Sequence, residues 1–407
     1  MIVDDWRSVV SMMPADFEKS VRDDLAIQRA RKVRDGSTLL RLALIYATVG
    51  GLRVTAALAS QQGITDISDV ALLKRLCEGS TWLAGLPAKL LADRRQFDPE
   101  KCRSSRRIRC VDATCVKRPG CKGTAYRVHV GFSLSECCID HVEVTDASGG
   151  ETFKRIPVEK GDLLVGDRGY AHARGISAVA VAGADVIVRM NWSNLPLTDP
   201  DGRPFDILAH LRSLADGEIG DWPVCTVGNP AKDVLSVSGR LVGMRKDEKS
   251  AEAARCKALK EARKQKRKVS PETLESAAYI FLFTTVSTEE MSAEQCLEIF
   301  RFRWQIELSF KNLKSVFGLS KMAAKSSKLS IAFISAILIA SILVDRMTNK
   351  QVFFSPWEHA TQQDHLCSTN TQAAAPVLCH DRLRSYDHNE NDGGRASTPP
   401  MPLRCAT

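Results

Sequence analysis

Apolar residues recur at helical spacing through the first part of the chain. SVRDDLAIQRARKV, STLLRLALIYATVGG and DVALLKRLCEGSTWLAGL each repeat them three and four positions apart, which predicts helices throughout residues 1–98. Within this part, LRVTAALASQQGITDISDVALLKRL reads as helix, turn, helix, with Gly63 in the turn and Asp66 or Ser68 as the cap of the second helix. That pattern suits a helix-turn-helix docking on DNA, and equally an ordinary helical hairpin. Across residues 105–190 the period falls to two. RIRCVDAT, AYRVHVGFSL and DHVEVTDA predict three successive strands, and a polar turn follows at Gly149 and Gly150. DLLVGDRGY then reads as a buried strand ending in an acid, AHARGISAVAVAGA as a helix and DVIVRM as a strand, so the expected class is α/β with a mixed sheet.

From residue 191 to 285 the pattern loosens into Pro, Gly and Asp clusters with short strand-like pieces, a basic helix and the strand AAYIFLFTTV, expected as a β-rich insertion. Helical spacing returns over 286–348, where Ser292 and Gln295 predict a capping box at the start of a helix that runs on through FRFRWQIELSFKNLKS. Leu329 to Val344, LSIAFISAILIASILV, falls short of the roughly 20 residues that span a bilayer. It is predicted as a buried helix on a sheet, with no membrane partner. Past Thr348 the periodicity stops, and 349–407 reads as an aberrant, disordered tail of the kind a frameshift or interruption leaves. The spacing of His359, His365, Cys367, Cys379 and His380 in that tail matches no zinc pattern.

Length and charge add detail. The 407 residues are enough for more than one domain, and the net charge of +9 is unevenly placed. KCRSSRRIR, from Lys101 to Arg109, and KALKEARKQKRK, from Lys257 to Lys268, are basic blocks suited either to a polyanion or to plain solvation. The thirteen Cys form no CxxC pair, and the acids in MIVDDWRS do not suit the start of a signal peptide, so reduced thiols and a cytoplasmic, nucleoid-associated protein are expected.

Three acids stand out. Asp112 lies in an apolar strand, where a carboxylate is costly unless paired or bound to a metal. Asp167 ends another strand, the usual place for a site in an α/β sheet, although a structural cap is equally open. On a helical wheel at about 100° per residue, Phe300, Arg303, Glu307 and Lys314 share an arc of roughly 60°. Converging carboxylates repel one another, and divalent cations remove that conflict. Hard oxygen ligands point to Mg²⁺ or Mn²⁺, two of which can activate a water and stabilise the leaving oxygen of a phosphodiester.

Here the chain resembles the DDE insertion-sequence transposases that carry a Tyr-Arg-Glu-Lys signature, the IS-four family. Phe300, Arg303, Glu307 and Lys314 stand at the positions of Y-x2-R-x3-E-x6-K, inside RWQIELSFKNLK, which is close to the family's R-W-x-I-E-x-x-F-K-x-x-K. Asp112 matches the family's V-D-A-T-like strand and Asp167 to Tyr170 its D-R-G-Y-like motif, and the likeness covers about residues 30–348. The resemblance implies a ribonuclease-H-like catalytic core interrupted by the β-rich insertion and preceded by an all-α DNA-binding domain. It implies that Asp112, Asp167 and Glu307 hold two Mg²⁺ ions and that Arg303 and Lys314 hold phosphate, with Arg168 beside them. Water would attack the transposon end, and the freed 3′-hydroxyl would attack target DNA, in a homodimer on paired double-stranded ends. Phe300 stands where the signature has Tyr, at a cost of about 1 kcal/mol for one lost phosphate hydrogen bond. Some relatives stack a flipped base on a Trp of the last insertion strand. Tyr279 is the nearest aromatic here, either as such a platform or as a core residue. Two alternatives stand beside transposition: a hydrolytic nuclease on the same fold, and a decayed copy that only binds DNA.

Overall fold

The computed structural model describes residues 6–92, 106–136 and 138–349. The expected aberrant tail, with its His and Cys residues, lies outside the described residues. Six helices come first: α1 (Trp6–Ser11), α2 (Phe17–Asp23), α3 (Gly36–Val49), α4 (Leu52–Gln61), α5 (Asp69–Glu78) and α6 (Ser80–Leu90). The helix predicted through SVRDDLAIQRARKV ends at Asp23, where Leu25 takes a left-handed φ of 54° and turns the chain irregular. α4 and α5 form the predicted helix-turn-helix. Gly63 sits at φ 66° in the turn, and of the two candidate caps it is Ser68 whose hydroxyl accepts from the Ala71 amide at 3.3 Å.

The sheet follows. Strands β1 (Ile108–Val116), β2 (Tyr126–Ser133) and β3 (Cys138–Asp146) form an antiparallel meander, and β4 (Leu163–Gly166), α7 (Ala173–Val181) and β5 (Asp185–Arg189) continue with β4 parallel to β1 and β5 parallel to β4. The next stretch contributes β6 (Leu197–Thr198), α8 (Ile207–Arg212), β7 (Ile219–Thr226), β8 (Ser238–Arg245), the basic helix α9 (Glu248–Lys264), α10 (Pro271–Ser276) and β9 (Tyr279–Thr284). These strands extend the same sheet rather than forming one of their own, in the order β3-β2-β1-β4-β5-β9-β8-β7-β6. Helices α11 (Ala293–Arg301), α12 (Trp304–Ser315) and α13 (Ser327–Asn349) complete the described fold.

Both faces of the sheet are covered, and the strands sort their residues between them with period two. Cys110, Leu163, Val165 and Ile187 join the core shared with the N-terminal helices and α11–α13. Val111, Leu164, Val186 and Val188 join a second core with α7, α8 and the β7–β9 side. The long apolar helix α13 departs from expectation. Ser327–Met347 is apolar and long enough to cross a bilayer, yet most of it is buried inside the protein. It packs chiefly against α3, α5 and α6 rather than lying on the sheet. One core therefore runs without a break from Phe17 and Leu39 through Ile337 to Ile306 and Val165.

Candidate active site

The site begins with register. The β1–β4 pairing ends at Val111 opposite Gly166, so Asp112 and Asp167 are the next residues on two parallel neighbours. Each lies two positions beyond a residue of the α11–α13 face, Cys110 and Val165, so both carboxylates belong to that face. Asp112 accepts from the Ala113 amide at 2.7 Å. Asp167 caps a short 3₁₀ turn over Arg168–Tyr170, accepting from the Gly169 amide at 2.9 Å.

The third acid arrives from α12 by way of Arg303. The predicted single helix is broken: α11 starts with the expected Ser292–Gln295 capping box and ends at Arg301, and the Phe302 and Arg303 amides bond three residues back. A 3₁₀-like step of about three residues per turn advances the chain only slightly more than an α-helix would, so Phe300 and Arg303 stay stacked and Arg303 stays bonded to Glu307 across the break. Phe300 turns inward, 9% exposed, with its ring under the Arg303 guanidinium at 5.7 Å. Arg303 reaches Asp112 Oδ2 at 3.2 Å through Nη1 and Glu307 Oε1 at 2.5 Å through Nη2. Glu307, 38% exposed in its side chain, is the most open of these three groups. Lys314, in the last turn of α12, makes no ion pair among the described residues. Arg168 is exposed in the turn after Asp167. Tyr279 is 6% exposed in the second core, so the burial of its ring argues against the base-stacking role and agrees with the core alternative.

Electrostatics tie the acids together. Burial, and then Asp167, push Asp112 up to about 7, against the pull of Arg303. Burial, and then Asp167, also raise Glu151 above the usual carboxylate range. Glu151 follows the Gly149–Gly150 turn and was missed in the sequence, where nothing marks it apart from an acid next to two glycines. The Tyr170 hydroxyl is buried without a hydrogen-bond partner, and the acids Asp112, Glu151 and Asp167 act on it, with Arg155 opposing them. Burial comes first in raising it above the ordinary phenol value.

The donor set is hard oxygen throughout, which fits Mg²⁺ or Mn²⁺ better than zinc. Among the described residues no three His, Cys, Asp or Glu side chains stand close enough to hold one ion. Arg303 is wedged between Asp112 and Glu307 and supplies the positive charge that a cation would bring.

The arginines just before β1 correct another expectation. Lys101 to Ser105 lie outside the described residues, but Arg106, Arg107 and Arg109 point at acids rather than solvent. Arg106 bonds Asp185 at 2.6 Å and also pairs with Glu290. Arg107 forks onto Asp162 at 2.8 and 2.7 Å, and Arg109 onto Asp140 at 2.5 and 2.9 Å. The β-bulge between β2 and β3 sits beside Asp140, and the bare Gly131 leaves room for it: a Cβ there would meet Asp140 Oδ1 at 2.5 Å.

Comparison with known proteins agrees with the resemblance. The family described as "Transposase DDE domain" matches residues 103–343. The "Putative transposase InsL for insertion sequence element IS186A" of Escherichia coli strain K12 is 34% identical over 359 residues, covering 87% of this chain and 96% of that protein. The "Transposase for insertion sequence element IS421" of Escherichia coli is 34% identical over 360 residues, with the same coverage. A cryo-EM structure of the piggyBac transposase synaptic complex with hairpin DNA overlaps 96% of this chain and 84% of its own at 8% identity and a TM-score of 0.37, a likeness too slight to bear on the site. A domain match over more than half the chain and relatives matched over nearly their whole length place it: this chain belongs to the DDE insertion-sequence transposases, metal-dependent enzymes that act on DNA.

Proposed function

We propose that Asp112, Asp167 and Glu307 are the metal-holding carboxylates of a ribonuclease-H-like core that cleaves transposon ends and transfers them to target DNA. The observation that carries this is that Asp112 and Asp167 stand side by side where the parallel pairing of β1 with β4 ends, on the face where Arg303 ties Glu307 to Asp112. The sheet order β3-β2-β1-β4-β5, with β4 and β5 parallel to β1, supports the fold assignment. Two Mg²⁺ or Mn²⁺ ions bound to these carboxylates would supply the charge that activates an attacking hydroxyl and stabilises the leaving oxygen.

The chain's own residues do the rest. Asp112, pushed up to about 7, is held in the metal-free protein by Arg303. With a divalent cation held by the carboxylates, Arg303 would be free to hold a phosphate, where its fork can bind two oxygens. Phe300 beneath the guanidinium keeps it aimed at the site. Lys314 and Arg168 add point charges for the DNA backbone. The helix-turn-helix of α4 and α5 reads the terminal repeats, and two copies pair two ends in a homodimer, in the bacterial cytoplasm.

The test is cleavage of DNA carrying the element's own ends, which terminal inverted repeats flanking the gene would reveal. Asp112→Asn, Asp167→Asn and Glu307→Gln are expected to abolish Mg²⁺-dependent cleavage and leave end binding nearly intact, because each keeps shape and loses a ligand. Arg303→Ala and Lys314→Ala are expected to weaken both. Wild-type cleavage by any of the three acid variants removes that residue from the triad.

A further inference from the structure

We propose that Glu151 is a fourth carboxylate of the divalent-cation site, beside Asp167, with the Tyr170 hydroxyl as a positioning group; this rests on the triad assignment above. Glu151 is half-buried at the start of the loop that leads to β4. Its carboxylate has no hydrogen-bond or ion-pair partner among the described residues. The turn after Asp167 is shaped around it. An ideal Cβ on Gly169 would fall 1.9 Å from Glu151 Oε2 and 3.2 Å from Asp167 Oδ1, so the two oxygens are separated by no more than the sum of those distances. Any side chain at position 169 would displace Glu151 from Asp167. Gly169 takes no positive φ, so the clash, and not backbone conformation, is what calls for glycine there.

The second observation is independent of the acids themselves. Tyr170 is 1% exposed, and its hydroxyl has no hydrogen-bond partner. A buried donor without an acceptor costs free energy. The acids nearest it in effect are Asp112, Glu151 and Asp167, with Arg155 acting the other way. A half-buried carboxylate with no ion-pair partner, set against a second carboxylate and only partly offset by the Arg127 charge, is repelled by its neighbour, and a cation between them would relieve that repulsion. An ion held by Glu151 and Asp167 removes that repulsion, and a carboxylate oxygen drawn in by the ion can accept from Tyr170. Partners of this kind around a metal set ligand orientation and affinity.

Mn²⁺ binding to the full-length, DNA-free protein tests this, with free Mn²⁺ followed by electron paramagnetic resonance. Glu151→Gln is expected to weaken Mn²⁺ binding by roughly tenfold or more, and Glu151→Asp by less. Gly169→Ala, which pushes Glu151 aside, should act like Glu151→Gln and carries the test if that variant fails to fold. Thermal unfolding in EDTA and end binding in EDTA should match wild type for the variants that fold. Asp167→Asn serves as the reference. If it weakens Mn²⁺ binding while Glu151→Gln and Gly169→Ala bind as wild type, the fourth carboxylate is overturned and the triad stands. If Asp167→Asn also binds Mn²⁺ as wild type, both assignments fall together.

Discussion

Single residues show how far local sequence can mislead about charge. Arg106, Arg107 and Arg109 belong to a run that reads as a polyanion-binding block, yet each meets an acid from another part of the chain. Arg109 lies three positions before Asp112 on the same strand, so the pleat sends it to the opposite face of the sheet. Its pair with Asp140 is 1% and 0% exposed on the two sides. Removing Asp140 leaves the buried Arg109 with only the longer pair to Asp162, 3.5 Å away and already shared with Arg107, and breaking a buried pair costs up to about 3–5 kcal/mol. Asp140→Asn is therefore expected to lower the free energy of unfolding in urea by up to that amount, with the salt dependence of DNA binding unchanged. A variant of wild-type stability with an altered salt slope would return Arg109 to a role in DNA binding. Asp112 and Asp167 were legible because one is an acid inside an apolar strand and the other follows the end of a short, strongly patterned one. Glu151 was not, since its closeness to Asp167 depends on how the Asp167–Tyr170 turn folds back under it.

Elements carry the next level of information, and here the second basic block behaves as its composition suggests. Only Ala251 of α9 is buried. Arg255 is tied to Glu248 and Glu252, whereas Lys260, Arg263 and Arg267 are exposed with no acidic partner among the described residues. A helix anchored so lightly, ending in a run of free cations, is suited to contact phosphate. Each neutralised phosphate contributes about −0.9 to the slope of log affinity against log salt. Replacing Lys260, Arg263 and Arg267 together by Ala should flatten that slope by up to about 0.9 per charge and leave melting unchanged, and an unaltered slope would remove α9 from the interface. The break between α11 and α12 was not legible for a related reason. Apolar spacing survives a 3₁₀ step of two residues, so FRFRWQIELSFKNLKS reads as one helix although Arg303 owes its aim at Asp112 to the interruption.

Across the whole molecule, the element order followed from periodicity, while residues on both sides of the boundary expected near residue 98 share one core. Periodicity predicts that Leu329–Val344 is buried and cannot say against what. The structure sets α13 among α3, α5 and α6, at the far end of the chain from them, and ties it there through Arg346, which donates to the Met12 and Leu90 carbonyls. The helices expected to read DNA ends thus depend for their core on a segment that follows Glu307. Folding of the end-binding part and of the catalytic face is coupled as a result, and the full-length protein is expected to give one calorimetric transition. Ile337, 1% exposed in the middle of α13, is the place to probe this. Ile337→Asp buries an unpaired charge in the shared core. It should lower the melting temperature of the whole chain and abolish end binding and cleavage together, although it touches neither the helix-turn-helix turn nor any proposed metal ligand. Two separate transitions in the wild type, or a residue 1–98 fragment that folds and binds end DNA alone, would show instead that α13 only rests against an N-terminal unit able to stand without it.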